Sequence, residues 1–277
     1  PIDSVMANPL MGPVPIAYRT SAAMAGGPVI RPDQVLERFS RAAPTYAGEA
    51  LLQRAMAWRL AQLSRRCSIR RGLWADLGSG TGHLAAALEV AHPGQQVIRL
   101  DGSAAMLNSH PHGTHTLRHD LSRGLPNWSE PPQLLASSFV LHWLPDPAQQ
   151  LRRWVDALPK GGWLALAVPV AGSFPQWQHA ARAANQTCTA LSMPVREQLM
   201  AALPDGVVQR DECLSFTQRA ANPLRLLRPM SNIGASVTNG GQLSPGQWKA
   251  VFRAWPQADA SAGFALTWRM WVLMVKR

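Results

Sequence analysis

The chain has 277 residues, a mass of 30.1 kDa and 47% hydrophobic side chains, enough for one large domain with a full core. Its 27 basic residues outnumber 16 acidic ones, giving a formal charge of +11, which points to an acidic partner. Three scattered cysteines (Cys67, Cys188, Cys213), histidines without zinc spacing and the lack of any run near the roughly 18 apolar residues of a membrane span argue against a disulfide framework, a metal site and an integral membrane protein. A cytoplasmic, metal-free chain is expected.

Residues 1–34 are rich in Pro, Gly, Ala and Met with weak periodicity and read as a disordered leader. From VLERFSRAAPTYAGEALLQRAMAWRLAQL (35–63) onward the spacing is helical, with a break expected near Pro44. GLWADLG (72–78) then reads as a strand, HLAAALEVAH (83–92) as a helix, QQVIRLD (95–101) as a strand and SAAMLNSH (103–110) as a short helix. THTLRHD (114–120) and QLLASSFVL (133–141) are further strands, DPAQQLRRWVDALPKGG (146–162) a helix ending in glycine, and WLALAVPVAG (163–172) a fifth strand. Helical stretches over 175–203 precede a strand at 207–219. The turn-rich segment 222–257 is expected to form a small subdomain over the sheet, and FALTWRMWVLMVKR (264–277) to close the sheet as an edge strand. Apolar runs alternating with helices predict an α/β fold, a doubly wound and mostly parallel seven-stranded sheet with a small helical insertion before the last strand. The expected division is one domain over 35–277, with lid helices at 35–63 and a substrate subdomain at 222–260.

WADLGSGTGHLAAAL (74–88) carries the chemistry. In open α/β sheets ligands sit at the carboxyl ends of the strands, where this loop falls. Gly78, Gly80 and Gly82 expose bare backbone, but their G-x-G-x-G spacing departs from the dinucleotide motif, and the carboxylate of Asp76 would repel a pyrophosphate. The ligand should offer a positive group to Asp76. S-adenosylmethionine (SAM) does so with its ammonium and sulfonium, and its carboxylate can take glycine-loop N–H groups. The segment D-L-G-S-G-T-G, Ser79 included, resembles the first motif of class I SAM-dependent methyltransferases. Asp101, at the end of the second strand, can accept both ribose hydroxyls, with Gly102 beside it. Asp120 ends the third strand, where the family pattern places an acid near the adenine amino group, and Met106 and Leu121 can contact the ring. Ser137, in the fourth strand, completes the expected cofactor set.

The flanks resemble a narrower family. RFSRAAPTYAGEALLQRAMAWRL (38–60), LDGSAAML (100–107), SSFVLHW (137–143), LRPMSNIGAS (227–236) and the closing strand are similar to segments of the malonyl-acyl-carrier-protein O-methyltransferases of biotin synthesis. Departures are Gly102 for an apolar residue, His142 for Gln and Ser231-Asn232 for Lys-Gly. The resemblance implies methyl transfer from SAM to the free carboxylate of a malonyl thioester on acyl carrier protein or coenzyme A, giving the ester that primes pimeloyl synthesis. A monomer is expected, with an acidic carrier protein as partner. The acceptor carboxylate is already ionised at pH 7, so no catalytic acid or base is required. Tyr46 and its helix are expected as a lid, His142 and Trp143 as pocket walls, and Arg41 or Arg228 as the group orienting the malonyl carboxylate. Two other readings stay open. One is a different small-molecule methyltransferase, including a carbon-acid enzyme with His142 as base. The other is a SAM-binding protein acting on nucleic acid, disfavoured by the absence of an N-P-P-aromatic turn after the fourth strand.

Overall fold

The computed structural model describes residues 32–232, 243–259 and 263–277. The expected leader lies outside them except for 32–34, and so does the I-G-A part of 227–236. Helix α1 (Pro32–Glu49) runs straight through Pro44, and the break falls instead at Ala50, whose φ of −82° and ψ of 51° separate α1 from α2 (Leu51–Ser64). Proline has no N–H to offer the carbonyl four residues earlier, here that of Ser40, so α1 tolerates Pro44 at the expense of one bond.

The alternating units follow in the expected order. They are β1 (Trp74–Leu77), α3 (His83–Ala91), β2 (Ile98–Asp101), α4 (Ala104–Leu107), β3 (Thr116–Arg118), β4 (Leu134–Ser138), α5 (Pro147–Asp156) and β5 (Trp163–Pro169). Then come α6 (Pro175–Ala183), α7 (Arg196–Ala201), β6 (Val208–Ala220), α8 (Pro223–Asn232), α9 (Pro245–Arg253), β7 (Gln257–Asp259) and β8 (Gly263–Lys276). The sheet order is β3-β2-β1-β4-β5-β8-β6, the expected seven-stranded path, with short β7 added against β8. Strands β1 to β5 pair in parallel, and β8 runs antiparallel to both β5 and β6.

One expectation is corrected by this order: β8 is not an edge but lies between β5 and β6. Its residues Met270 to Val275 are buried without interruption, so both faces are covered. Strand β6 alternates half-buried with exposed positions and forms the edge.

Helices cover both faces. Leu60, Leu88, Trp177, Leu226, Val251 and Trp268 belong to one core, under α2, α3, α6, α8 and α9. Leu77, Leu100, Trp154, Leu199 and Trp271 belong to the other, under α5 and α7. Each such side chain contributes roughly 1.5–3 kcal/mol by leaving water. Helices α8 and α9 join the first core through Leu226, Met230 and Val251, with Trp255 just past the end of α9. Strand order reverses between β1 and β4, opening a crevice at their carboxyl ends. Among the described residues no helix is long and apolar enough to cross a membrane.

Pro44→Ala restores an N–H inside α1, where proline costs about 3 kcal/mol against alanine. Amide hydrogen exchange across α1 should slow by about tenfold or more in that variant, with the core strands unchanged.

Candidate functional site

The chain leaves β1 at Leu77 and turns through Gly78, Gly80 and Gly82, with φ of +73°, +51° and +89°. A Cβ on Gly78 would lie 2.4 Å from Val140 Cγ2, and one on Gly82 2.7 Å from His110 Cε1. At Gly80 the backbone faces only the Tyr46 ring, 3.7 Å from such a Cβ. Gly78 and Gly82 therefore admit neighbouring side chains, and Gly80 is the least crowded of the three.

Four of the loop amides are paired within the protein. Gly78 and Ser79 both donate to the Leu100 carbonyl at 2.8 Å, Gly80 donates to Asp101 Oδ2 at 2.8 Å, and Gly82 donates to the Ser79 carbonyl at 2.8 Å. The loop's curvature is thus fixed by β2, before any ligand arrives.

Asp76 is buried, and its Oδ2 accepts the Ala85 N–H at 3.0 Å, tying β1 to the first turn of α3. Burial, partly offset by that bond and by the Arg99 guanidinium, pushes its carboxyl up to about 7. Asp101 accepts N–H groups from Gly80 and, at 2.8 Å, from Ser103. Burial still raises its pKa against those bonds. Asp120 caps the turn after β3 by accepting the Ser122 N–H at 2.9 Å.

Three cavities border one another here. The first, about 100 Å³, is lined by Gly78, Gly80, Asp101, Gly102, Met106, Asp120 and Leu121, all anticipated from sequence. Its roof is α1, through Val35, Leu36, Phe39 and Tyr46. Leu36 occupies the space a side chain at position 102 would need, 2.6 Å from that Cβ, so α1 supplies the apolar group missing at Gly102. Asp76, Ser79, Gln53 and His83 surround a small recess below, shared with Tyr46 and Ser138.

The second, inner cavity lies between Phe39, Tyr46, Gln53, Phe139, His142, Trp143 and Trp268. Phe39 sits edge-on to Trp143 at 5.6 Å, and the Trp143 and His142 rings lie 4.8 Å apart. Burial pushes His142 down to about 3, too weak a base to deprotonate a carbon acid at neutral pH. Burial, then the Asp101 and Asp76 carboxylates, pushes the Tyr46 phenol above its ordinary value.

The third cavity, about 980 Å³, opens between α6, α8 and α9 and shares Leu191 and Met230 with the inner one. Arg228 lies on it with Lys249 and Arg253, among Trp177, Trp248 and Phe252.

Two expected residues are elsewhere. Ser137 is fully buried and donates to the Leu77 carbonyl at 2.9 Å, whereas its neighbour Ser138 borders the first cavity with an unpartnered Oγ. Adjacent residues of a strand face opposite ways, so only one serine of the pair can serve. Arg41 sits on the solvent side of α1, paired with Glu37, and borders none of the three cavities.

Sequence reading also missed Gln53, Phe139 and Trp268. Phe139 holds a φ of 60°, a conformation costly for a bulky residue, at the mouth between two cavities. No local pattern marks such a residue, since its strain comes from the turn that β4 makes against β5.

Residues 75–164 match the family described as methyltransferase domain. Over 109 residues the chain is 36% identical to trans-aconitate 2-methyltransferase of Mycobacterium tuberculosis, a match spanning 38% of this chain and 40% of that relative. The fold is shared with a protein named as a methyltransferase from Bacillus halodurans (TM-score 0.55, 13% identity, 78% of this chain and 97% of that one). It is shared equally with the YcgJ protein of Bacillus subtilis (TM-score 0.55, 11% identity, 79% and 98%). Residues 75–164 thus match a methyltransferase domain, and the chain has the fold of proteins named as methyltransferases. Over 98% of its length it is also similar, at 26% identity, to malonyl-[acyl-carrier protein] O-methyltransferase of Alcanivorax borkumensis, covering 97% of that protein.

The residues present fit the nucleoside. Bare backbone at Gly80, the unpartnered Ser138 Oγ and carboxylates at the ends of β1, β2 and β3 converge on one crevice. Among the described residues no three His, Cys, Asp or Glu side chains cluster as metal ligands.

Gly78→Ala should weaken binding of S-adenosylhomocysteine at least about tenfold by calorimetry, from the Val140 overlap and the positive φ. Gly78→Ala/Val140→Ala should recover part of the loss, the part due to overlap. A pH dependence follows from Asp76. Folded, it holds its proton up to about pH 7; unfolded, it releases it near pH 3.9. Its contribution to stability is thus full below about pH 4 and is lost as pH rises to 7. A cationic ligand prefers the ionised carboxylate, so SAM affinity should rise from about pH 5 to 7 and then level. Asp76→Asn should flatten that profile in calorimetric titrations.

Proposed function

We propose that the chain methylates the free carboxylate of a malonyl thioester, carried by acyl carrier protein or coenzyme A. The observation behind this reading is the distribution of charge along the three cavities. Neither the first nor the inner cavity has an Arg or Lys among its described lining residues. The outer one is apolar with Arg228, Lys249 and Arg253 on it. An acceptor with one carboxylate at the tip of an uncharged thioester, and anionic groups only far behind, suits that sequence of environments. Trans-aconitate carries three carboxylates on a small skeleton, and a cation-free chamber would have to desolvate all of them. That argument favours the full-length resemblance over the shorter, closer one.

Bound in the first cavity, SAM would supply an electrophilic methyl group. The chain's own work is positioning and exclusion of water. Asp76 faces the cationic end of the nucleoside, Asp101 its ribose, and Asp120 with Met106 and Leu121 its base. Tyr46 borders the first cavity, the inner one and the recess at Asp76, and, with Phe39 and Leu36, makes α1 the roof over the nucleoside. The carboxylate reacts as it stands, so neither His142 nor any other base takes a proton. The cations of the outer cavity would meet an acidic carrier or the phosphate of its arm, steering it and setting its orientation. Helices α8 and α9 act in this reading as the substrate subdomain.

With labelled SAM, the chain should place a base-labile methyl ester on malonyl-acyl carrier protein or malonyl-CoA, read by mass spectrometry, and leave trans-aconitate at least about tenfold less methylated per unit time. Efficient esterification of trans-aconitate with inert malonyl thioesters would defeat this reading.

A further inference from the structure

The inner cavity, about 20 Å³, is lined by His142 and Trp268, whose Nδ1 and Nε1 are buried without a partner. Both residues are more than nine-tenths buried, at 6% and 5% exposure. They arrive from unrelated elements, the turn after β4 and the middle of β8, and share the cavity with the Gln53 side chain from α2. A buried donor left unpaired costs free energy that a ligand can recover. Burial keeps the imidazole neutral, so it offers one N–H and no net charge.

We propose that His142 and Trp268, with the Gln53 amide beside them, form a cation-free clamp for the acceptor carboxylate. This rests on the carboxylate-methylation reading above and assigns to neutral donors the role that an arginine was expected to fill. The chemistry favours it. A bidentate guanidinium would draw charge from the oxygen that must attack, whereas indole, imidazole and amide N–H groups orient a carboxylate while leaving it more nucleophilic. The compensating charge is the sulfonium itself, in the adjoining cavity across Tyr46 and Trp143, which border both spaces. A lone carboxylate would enter this chamber at high desolvation cost, so the clamp fills only after the cationic nucleoside is seated. Binding order and chemistry then share one cause.

Trp268→Phe deletes the indole N–H and keeps an aromatic ring. With malonyl-CoA as acceptor, KM should rise about tenfold or more, the loss expected for one hydrogen bond to a charged group. The S-adenosylhomocysteine dissociation constant should change less than about twofold. His142→Phe should behave alike, and His142→Gln, which restores an N–H, should stay within about threefold of wild type. Trp163 also has an unpartnered indole nitrogen but borders none of the three cavities, so Trp163→Phe should leave KM unchanged. Wild-type KM and kcat in both Trp268→Phe and His142→Phe would overturn the clamp. So would an equal loss of nucleoside affinity, which would mark a packing defect. A wild-type chain inert toward malonyl thioesters but active on trans-aconitate would overturn the malonyl reading alone, with the same variants then scored on trans-aconitate. One that methylates no carboxylate would overturn both.

Discussion

The carbonyl of Leu100 accepts two amides at once, those of Gly78 and Ser79, each at 2.8 Å. With the neighbouring bond from Gly80 to Asp101, it fastens the loop after β1 to the end of β2. The crevice inherits its shape from this fastening. Gly80 is left the least crowded of the three, Gly78 gives way to Val140, and Gly82 gives way to His110, whose Nε2 lies 2.8 Å from the Gly80 carbonyl. A carboxylate that spends an oxygen on the loop is one cause of a rigid site: little remains to be organised when a nucleoside arrives.

Charge is arranged in the opposite sense from what the overall excess of arginine suggests. The basic residues that the fold brings near the site stand on the outer cavity, while the two inner ones are walled by aromatic rings, carboxylates and neutral polar groups. Arg99, nearly buried, is committed to Glu89 at 2.7 Å, and Arg41 to Glu37 at the surface. Inner carboxylates, with no cation among the described residues lining the two inner cavities, make a setting for a positively charged nucleoside. A negatively charged acceptor then has to rely on that nucleoside for its counterion.

Much of the architecture was legible because it rests on short-range rules. Period-two apolar runs and helical spacing located the strands and helices in order, and the loop from Asp76 to Gly82 announced a ligand through residue types that few other roles require. Asp101, Asp120, Met106 and Leu121 were reachable too, since a strand's carboxyl end in a parallel sheet is a predictable place. Position within the sheet was harder. β8 looked like an edge from its alternation, yet the unbroken burial of Met270 to Val275 comes from having β5 on one side and β6 on the other. Pro44 looked like a helix break, but packing of α1 over the crevice outweighs one missing bond.

The sequence by itself determined the fold class, the glycine loop and the acids at successive strand ends, because each depends on chain-local geometry or on one rule of strand direction. Only the tertiary structure decided which serine of 137–138 borders the cavity, that Leu36 fills the space over Gly102, and that Arg41 faces solvent. It alone brought Gln53, His142 and Trp268 together from segments over 200 residues apart at the extremes. Such meetings are set by how α1, α2 and β8 pack across the sheet, and no local spacing encodes that.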